Sequence, residues 1–167
     1  MIQKILSGGQ AGVDRAAMDV SIRLGIPVGG WCPRGRWAED GMIPERYPLM
    51  ETESADPAER TRMNVKISDG TLVLDPGVGS PGTALTIEEA RRLSKPILLC
   101  DPKDVMSAKA VFDWIIRERI DILNIAGPRS SEHSGIYGLA VRFLLVLLSL
   151  ATGEEADEPG HQDRQEE

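Results

Sequence analysis

The sequence predicts a three-layer α/β fold, with a doubly wound, mainly parallel sheet and helices on both of its faces. Two observations predict this fold. Strands alternate with helices along the chain, and the order of apolar run, glycine-rich turn and helical pattern occurs at residues 2–24, 70–94 and 122–151. In an open parallel sheet such turns lie at the carboxyl edge of the strands, where ligands bind.

The first unit begins with a predicted strand at residues 2–6, which runs into Ser7-Gly-Gly-Gln-Ala-Gly-Val-Asp14. Apolar residues then recur with a helical period over residues 13–24, and a second strand begins at residues 26–28. The glycine spacing is not G-x-G-x-x-G, so it is no NAD fingerprint. We expect Asp14 to cap or orient this turn rather than to act as a base.

Residues 29–50 have no sustained period and are rich in Gly, Pro, Trp and charge, which is typical of a functional loop or a lid. Aromatic rings beside arginines suit a ring-bearing anionic ligand, through stacking and charge-assisted hydrogen bonds. Alternatively, the tryptophans cover the edge of the sheet. The candidate side chains are those of Trp31, Arg34, Arg36, Trp37, Glu39 and Asp40.

The central unit follows a helix that starts near Asp56-Pro57 and carries Arg60. Its strand at residues 70–74 stops at Asp-Pro, three glycines follow within six residues, and a helical pattern starts at Thr83. Glycines let backbone N–H groups approach a ligand, and a helix start adds about half a positive charge. The turn therefore predicts a site for an anion, most often phosphate, although such turns also serve as ordinary connections.

The last third of the chain predicts a strand at Pro96–Cys100, an amphipathic helix over residues 108–116 and a strand at Ile122–Ala126. A third turn then offers Arg129 and two hydroxyl groups, either to an anion or as a helix cap. The final helix, residues 136–151, is apolar on nearly every face. Because such a helix is buried all round, we expect a homo-oligomer, a dimer or a tetramer, that buries part of it.

Composition and charge limit the classes of function. We expect one domain over residues 1–152 and an acidic, disordered tail over residues 153–167, because seven acidic residues and one arginine follow Gly153. The net charge of −7 then leaves about −1 on the domain, which has no basic field for nucleic acid. No signal peptide or membrane span is predicted. Cys32 and Cys100 form no metal-spacing motif, so we expect a cytoplasmic protein without a dedicated metal site.

Several segments carry a resemblance to known families. Ser7–Asp14 together with Gly79-Ser-Pro-Gly-Thr83 resembles the Rossmann-like superfamily of the "lonely guy" phosphoribohydrolases and the DNA-processing protein A proteins. Gly30–Gly41, Ile43–Leu49 and Ala126–Arg129 are similar to the family of proposed molybdenum (cofactor) carriers, and the resemblance spans about residues 2–150. It implies a parallel-sheet α/β protein, often oligomeric, that binds the molybdenum cofactor (molybdopterin) or a related anion.

An enzyme hypothesis can be tested on the same residues. The phosphoribohydrolases carry Pro-Gly-Gly-x-Gly-Thr-x-x-Glu, whose Glu takes part in cleaving the N-glycosidic bond. Aligned through Gly82-Thr83, that Glu position falls on Thr86, and the Arg-Lys pair upstream falls on Arg60-Thr61. Because an oxocarbenium-like transition state is hard to stabilise without the carboxylate, the sequence favours binding over hydrolysis.

The predicted site therefore has two walls, with arginines for charge and an aromatic cover. We predict a carrier of an anionic, phosphate-bearing ligand, either molybdenum cofactor or a nucleotide. A nucleoside monophosphate phosphoribohydrolase-like enzyme and a nucleotide sensor are the alternatives. One wall is Ser7, Gly8, Gly9, Gln10 and Gly12, the other is Gly79, Ser80, Gly82 and Thr83, the charge comes from Arg34, Arg60 and Arg129, and the cover is Trp31 or Trp37.

Overall fold

The computed structural model describes residues 1–153, so the predicted acidic tail from Glu154 onward lies outside the described residues. Helices and strands alternate through most of the chain, as predicted. In chain order the elements are β1 (Lys4–Leu6), α1 (Val13–Arg23), β2 (Val28–Gly29), β3 (Trp31–Cys32), β4 (Trp37–Ala38), β5 (Gly41–Met42), β6 (Met50–Glu51), α2 (Pro57–Ile67), β7 (Gly70–Leu74), α3 (Pro81–Arg92), β8 (Ile97–Cys100), α4 (Ala108–Arg117), β9 (Ile122–Ala126) and α5 (Ile136–Thr152).

The central sheet has five strands in the order β2-β1-β9-β7-β8, and every neighbouring pair is parallel. All five residues of β7 are buried, since helices cover both faces of the sheet. Helices α1, α4 and α5 pack together on one side, whereas α2 and α3 pack on each other. The predicted three-layer, doubly wound α/β fold is confirmed.

The order of the strands decides which turns meet. The chain leaves β1 towards β2 at one edge of the sheet and later leaves β7 towards β8 at the other edge. Strand β9 then enters between β1 and β7. The carboxyl ends of β1, β9 and β7 therefore lie side by side, and the three predicted turns follow these three strands.

Helix α5 is buried largely by its own chain. It packs along α1 and α4 and contributes several side chains to the main core, where Phe143, Leu144, Leu147 and Leu148 are fully buried. Its apolar composition therefore has a cause within one protomer, and the predicted oligomer stays a prediction. In the part of the chain that the structure describes, no helix is long and apolar enough to cross a membrane.

The segment between β2 and α2 has more order than its lack of period suggests. Strand β3 pairs with β6 in parallel, and β4 pairs with β5 in an antiparallel hairpin. The guanidinium of Arg36 donates to the backbone oxygens of Pro44 and Tyr47, both at 2.9 Å, and also to those of Ile43 and Leu49. Arg36 thus holds this segment together.

Candidate functional site

The first and third turns are fastened to each other. Gly12 and Arg129 form an antiparallel β-bridge. The N–H of Val13 donates to the oxygen of Pro128 at 3.2 Å, and the N–H of Ser130 donates to that of Ala11 at 3.1 Å. We call residues 7–14 and 127–132 together the locked side, because their backbones are bonded to each other.

The second turn, residues 75–83, faces the locked side, and we call it the open side. Ser80 is the N-cap of α3, and its Oγ accepts from the N–H of Thr83 at 3.3 Å. The carboxylate of Asp75 accepts the N–H groups of Gly77, Val78 and Gly79 at 2.7–3.0 Å. The helix start, rather than the glycines before it, is therefore what this side offers to a ligand.

A cavity of about 50 Å³ lies between the two sides. At about 10–15 Å³ for each water position, it has room for roughly four water-sized atoms, the size of one tetrahedral oxyanion. The rest of a larger ligand would extend out of it. The lining residues are Gly8, Gln10, Asp14, Arg60, Thr61, Asn64, Ser80, Gly82, Thr83, Thr86, Asn124, Ile125, Ala126, Gly127, Arg129 and Glu132.

Among the backbone N–H groups of the lining residues, those of Gly8 and Gly82 are without a hydrogen-bond partner within residues 1–153. Gly82 is the second residue of α3, where the N–H groups of a helix are always left over. Apart from Gly82's own neighbours in the chain, no atom of residues 1–153 lies within 4 Å of the position where a Cβ of Gly82 would stand. Free donors at a helix N-terminus are suited to an anion.

Within residues 1–153, four charged side chains line the cavity, two of each sign. Arg60 is 9% exposed; its Nη1 donates to the backbone oxygen of Gly8 at 2.8 Å and to Oδ2 of Asp14 at 3.3 Å. Arg129 pairs with Glu132, with Nε 3.6 Å from Oε1. Burial raises the pKa of the Asp14 carboxyl, while Arg60 and the N–H of Gln10 oppose that rise.

The structure brings residues from all three turns to this cavity. Seven of the predicted site residues line it: Gly8, Gln10, Ser80, Gly82, Thr83, Arg60 and Arg129.

Three other predicted residues of the first turn, Ser7, Gly9 and Gly12, shape the turn from behind. Ser7 is fully buried, and its Oγ donates to the backbone oxygen of Asp14 at 2.9 Å. Gly9 and Gly12 have positive φ angles, of 77° and 109°. Gly79, on the open side, gives its N–H to Asp75.

Trp31 and Arg34, the remaining predicted site residues, do not line the cavity. The backbone of Trp31 is held by Asn64, whose Oδ1 accepts from its N–H at 2.8 Å and whose Nδ2 donates to its oxygen at 3.0 Å. Arg34 is exposed. Trp37, the other predicted cover, is 49% exposed on the hairpin β4–β5.

The prediction omitted several polar residues of the lining: Thr61, Asn64, Thr86, Asn124 and Glu132. Asn124 is 3% exposed in the middle of β9, and its Nδ2 donates to Oγ1 of Thr71 at 3.3 Å. A buried amide in an otherwise apolar strand was a signal for this position. Thr61 and Thr86 are the positions on which the Lys and Glu of the phosphoribohydrolases fall.

The acidic residues after Thr86 do not supply the missing carboxylate. Thr86 donates its hydroxyl to the oxygen of Gly82 at 2.9 Å. Glu89 is 6% exposed and accepts from Arg92 at 2.6 and 3.1 Å, and this pairing lowers its pKa. The carboxylates in the cavity are instead those of Asp14 and Glu132.

No group of three or more His, Cys, Asp or Glu side chains that could hold a metal ion occurs within residues 1–153. Cys32, the second residue of β3, is fully buried, and Cys100 contacts the hydroxyl of Ser107 at 3.0 Å. Neither thiol lines the cavity.

Comparison with known proteins gives a family and a solved structure. The model of the circularly permutated YpsA SLOG family matches residues 5–148. The crystal structure of the protein called "Putative molybdenum carrier protein" from Syntrophus aciditrophicus SB resembles this one with a TM-score of 0.85, and the two sequences are 43% identical. The match covers 88% of this chain and 95% of that one. No curated protein matches the chain.

Proposed function

Because the chain belongs to the circularly permutated YpsA SLOG family, we propose that it is a carrier that binds molybdenum cofactor through the phosphate of that ligand. The observation that carries the proposal is the convergence of the free N–H groups of Gly8 and Gly82 with Arg60 and Arg129 on one small cavity. The likeness to a protein called a molybdenum carrier, at 43% identity, supports the same function.

The arrangement favours a phosphate group over other parts of the ligand. The cavity volume of about 50 Å³ suits one tetrahedral group, and the N-terminus of α3 adds a partial positive charge. The hydroxyl group of Thr83, which accepts from Ser80, and the second N–H of the Asn64 amide offer further donors around it. The pterin would then lie outside the cavity, towards solvent.

The first experiment identifies the ligand. The full chain is purified without added ligand, and its molybdenum content and any co-purifying small molecule are measured by elemental analysis and mass spectrometry. We expect molybdenum together with a phosphorylated pterin. A nucleotide without molybdenum would instead favour the sensor or enzyme alternatives.

The second experiment tests the place of binding. Gly82→Ala puts a methyl group where the structure leaves open space, so the fold should stay intact while binding of inorganic phosphate is lost. Gly138→Ala is a matched control, because Gly138 also lies in the first turn of a helix, with open space around it. Unchanged affinity in Gly82→Ala, measured by titration calorimetry, would refute this site.

A second candidate function is cleavage of a nucleoside monophosphate at its N-glycosidic bond. The observation in its favour is that Asp14 and Glu132 line the cavity. A carboxylate is therefore available there, although Thr86 stands at the position of the Glu in the phosphoribohydrolase motif. Incubation of the full chain with nucleoside monophosphates, followed by chromatography of the free base, separates this activity from binding alone.

A further inference from the structure

A carboxylate lies inside the cavity that we propose for an anion. Asp14 is 9% exposed, and Arg60 and Gln10 both donate to the same oxygen of its carboxyl group, Oδ2, at 3.3 Å. The other oxygen, Oδ1, accepts no hydrogen bond within residues 1–153. It is not among the fully enclosed polar atoms of these residues. Because Asp14 lines the cavity, this unpaired acceptor oxygen is available to an anion bound there.

The cationic side chains around Asp14 stand on three segments of the chain. Arg60 stands on α2, Arg15 on α1 and Arg129 on the turn after β9, and all three favour the ionised carboxylate. The N–H of Gln10 acts in the same direction, whereas burial acts against it more strongly. No charged side chain of α3 lines the cavity.

We propose that the cavity binds its anion together with one proton, which Asp14 and the ligand share. The site then selects oxyanions that carry or readily accept a proton, inorganic phosphate and phosphate monoesters, over sulfate and molybdate. This inference rests on the proposed function, because it assumes that the cavity is the anion site. It narrows the ligand to one with a phosphate group and excludes bare molybdate as the cargo.

The anion needs a shared proton because one of its oxygens would face an oxygen of the Asp14 carboxylate. A carboxylate oxygen only accepts hydrogen bonds, so a fully deprotonated oxyanion beside Oδ1 puts two acceptors and two negative charges in contact. One proton between them converts that repulsion into a short, charge-assisted O–H···O⁻ bond. The side-chain charges of the lining cancel, so they provide no surplus positive charge against this repulsion.

Phosphate and sulfate differ in whether they carry a proton near neutral pH. At pH 7.5 inorganic phosphate keeps a proton, whereas a phosphate monoester, with a second pKa of about 6, has mostly lost its own but regains one far more readily than sulfate does. Sulfate and molybdate have nearly the same tetrahedral shape and carry no proton at that pH. Binding of sulfate must therefore take up a proton, whereas phosphate brings its own.

The test is titration calorimetry of the full chain with inorganic phosphate and with sulfate at pH 7.5. We expect phosphate to bind at least about tenfold more tightly, since an unpaired buried acceptor is costly. The affinity for sulfate should rise as the pH falls, by up to about tenfold for each pH unit. Asp14→Asn should bring the two affinities to within a few-fold of each other, while Glu118→Gln, outside the cavity, keeps the preference for phosphate.

A second measurement does not depend on the folding of a variant. Titration of the wild-type chain in two buffers of different ionisation enthalpy gives the number of protons taken up, which we expect to be about one for sulfate and near zero for phosphate at pH 7.5. Equal affinities with no proton uptake would overturn the inference and leave the anion site standing. Failure of both anions to bind would overturn the inference and the proposed site together.

Discussion

The two sides of the cavity are both rich in glycine, but the glycines of the locked side are closely packed and those of the open side are not. On the locked side a Cβ on Gly12 would stand 2.5 Å from the oxygen of Pro128, and one on Gly9 would stand 2.6 Å from a methyl carbon of Leu49. On the open side no atom of another segment in the described part of the chain lies within 4 Å of the corresponding positions of Gly79 and Gly82. Both turns read as anion-binding glycine loops in the sequence.

The difference teaches that glycine serves two purposes here. On the locked side it lets two stretches of backbone lie against each other, so the turn is part of the core. At Gly82 it leaves space at a helix N-terminus, so the turn is part of the site. Substitutions on the two sides should therefore separate stability from binding.

The largest effect is expected from Gly12→Ala. Its φ of 109° is strained for any residue with a Cβ, and the new methyl group would collide with backbone atoms of residues 128–130. We expect the free energy of unfolding to fall by roughly 2–5 kcal/mol, as measured in urea. Gly79→Ala, with a φ of 61° and no neighbours, should cost only about 1 kcal/mol. Equal losses in the two variants would remove the distinction between the sides.

A second prediction concerns the pH dependence of stability on the locked side. Because burial raises the pKa of Asp14 above its ordinary 3.8, folding favours the protonated carboxyl group. The stability that this provides is fully present below that ordinary value and is lost as the pH rises through the folded-state pKa.

Asp14→Asn removes the titrating carboxyl group of residue 14 and leaves every other titrating group in place. The free energy of unfolding of the variant, relative to wild type, should therefore increase from pH 4 towards neutrality. Urea denaturation of both proteins over that range measures the difference. A constant difference would mean that the pKa of Asp14 is the same in the folded and unfolded chain.

The sequence predicts those parts of the site whose structure is determined by residues close together in the chain. An apolar run that ends in Asp-Pro gave the central strand, and β7 occupies Gly70–Leu74 as predicted. The last strand, Ile122–Ala126, has the predicted bounds. The start of α3 differs, because Ser80 caps the helix and Pro81 takes its first position, two residues before Thr83.

Other parts depend on contacts that no local pattern contains. Arg34 and Arg60 are alike as candidates for charge, and only the packing of α2 brings Arg60 to the cavity. Gly79 has the right conformation for a phosphate turn, but its N–H is taken by Asp75. An Asp before Pro-Gly is a known side-chain turn, so that signal was present in the sequence.

The smallest predicted effect concerns the way the locked side holds Arg129. Glu132 accepts from the backbone N–H of Arg129 at 3.0 Å through Oε2, while Oε1 lies 3.6 Å from Nε of the same residue. Glu132 therefore orders the turn and at the same time neutralises a cation of the cavity. A bound anion competes with it for Arg129.

Glu132→Gln keeps an oxygen for the backbone N–H of Arg129 and removes the competing charge. We expect inorganic phosphate to bind about two- to fivefold more tightly, because a partly exposed ion pair is worth only about 0.2–1 kcal/mol. The gain, measured by titration calorimetry, should shrink as salt is added, since salt screens such pairs. Glu118→Gln removes an exposed partner of Arg117 outside the cavity and should change nothing. A loss of affinity in Glu132→Gln would show that the order Glu132 gives to the turn matters more than the charge it withdraws.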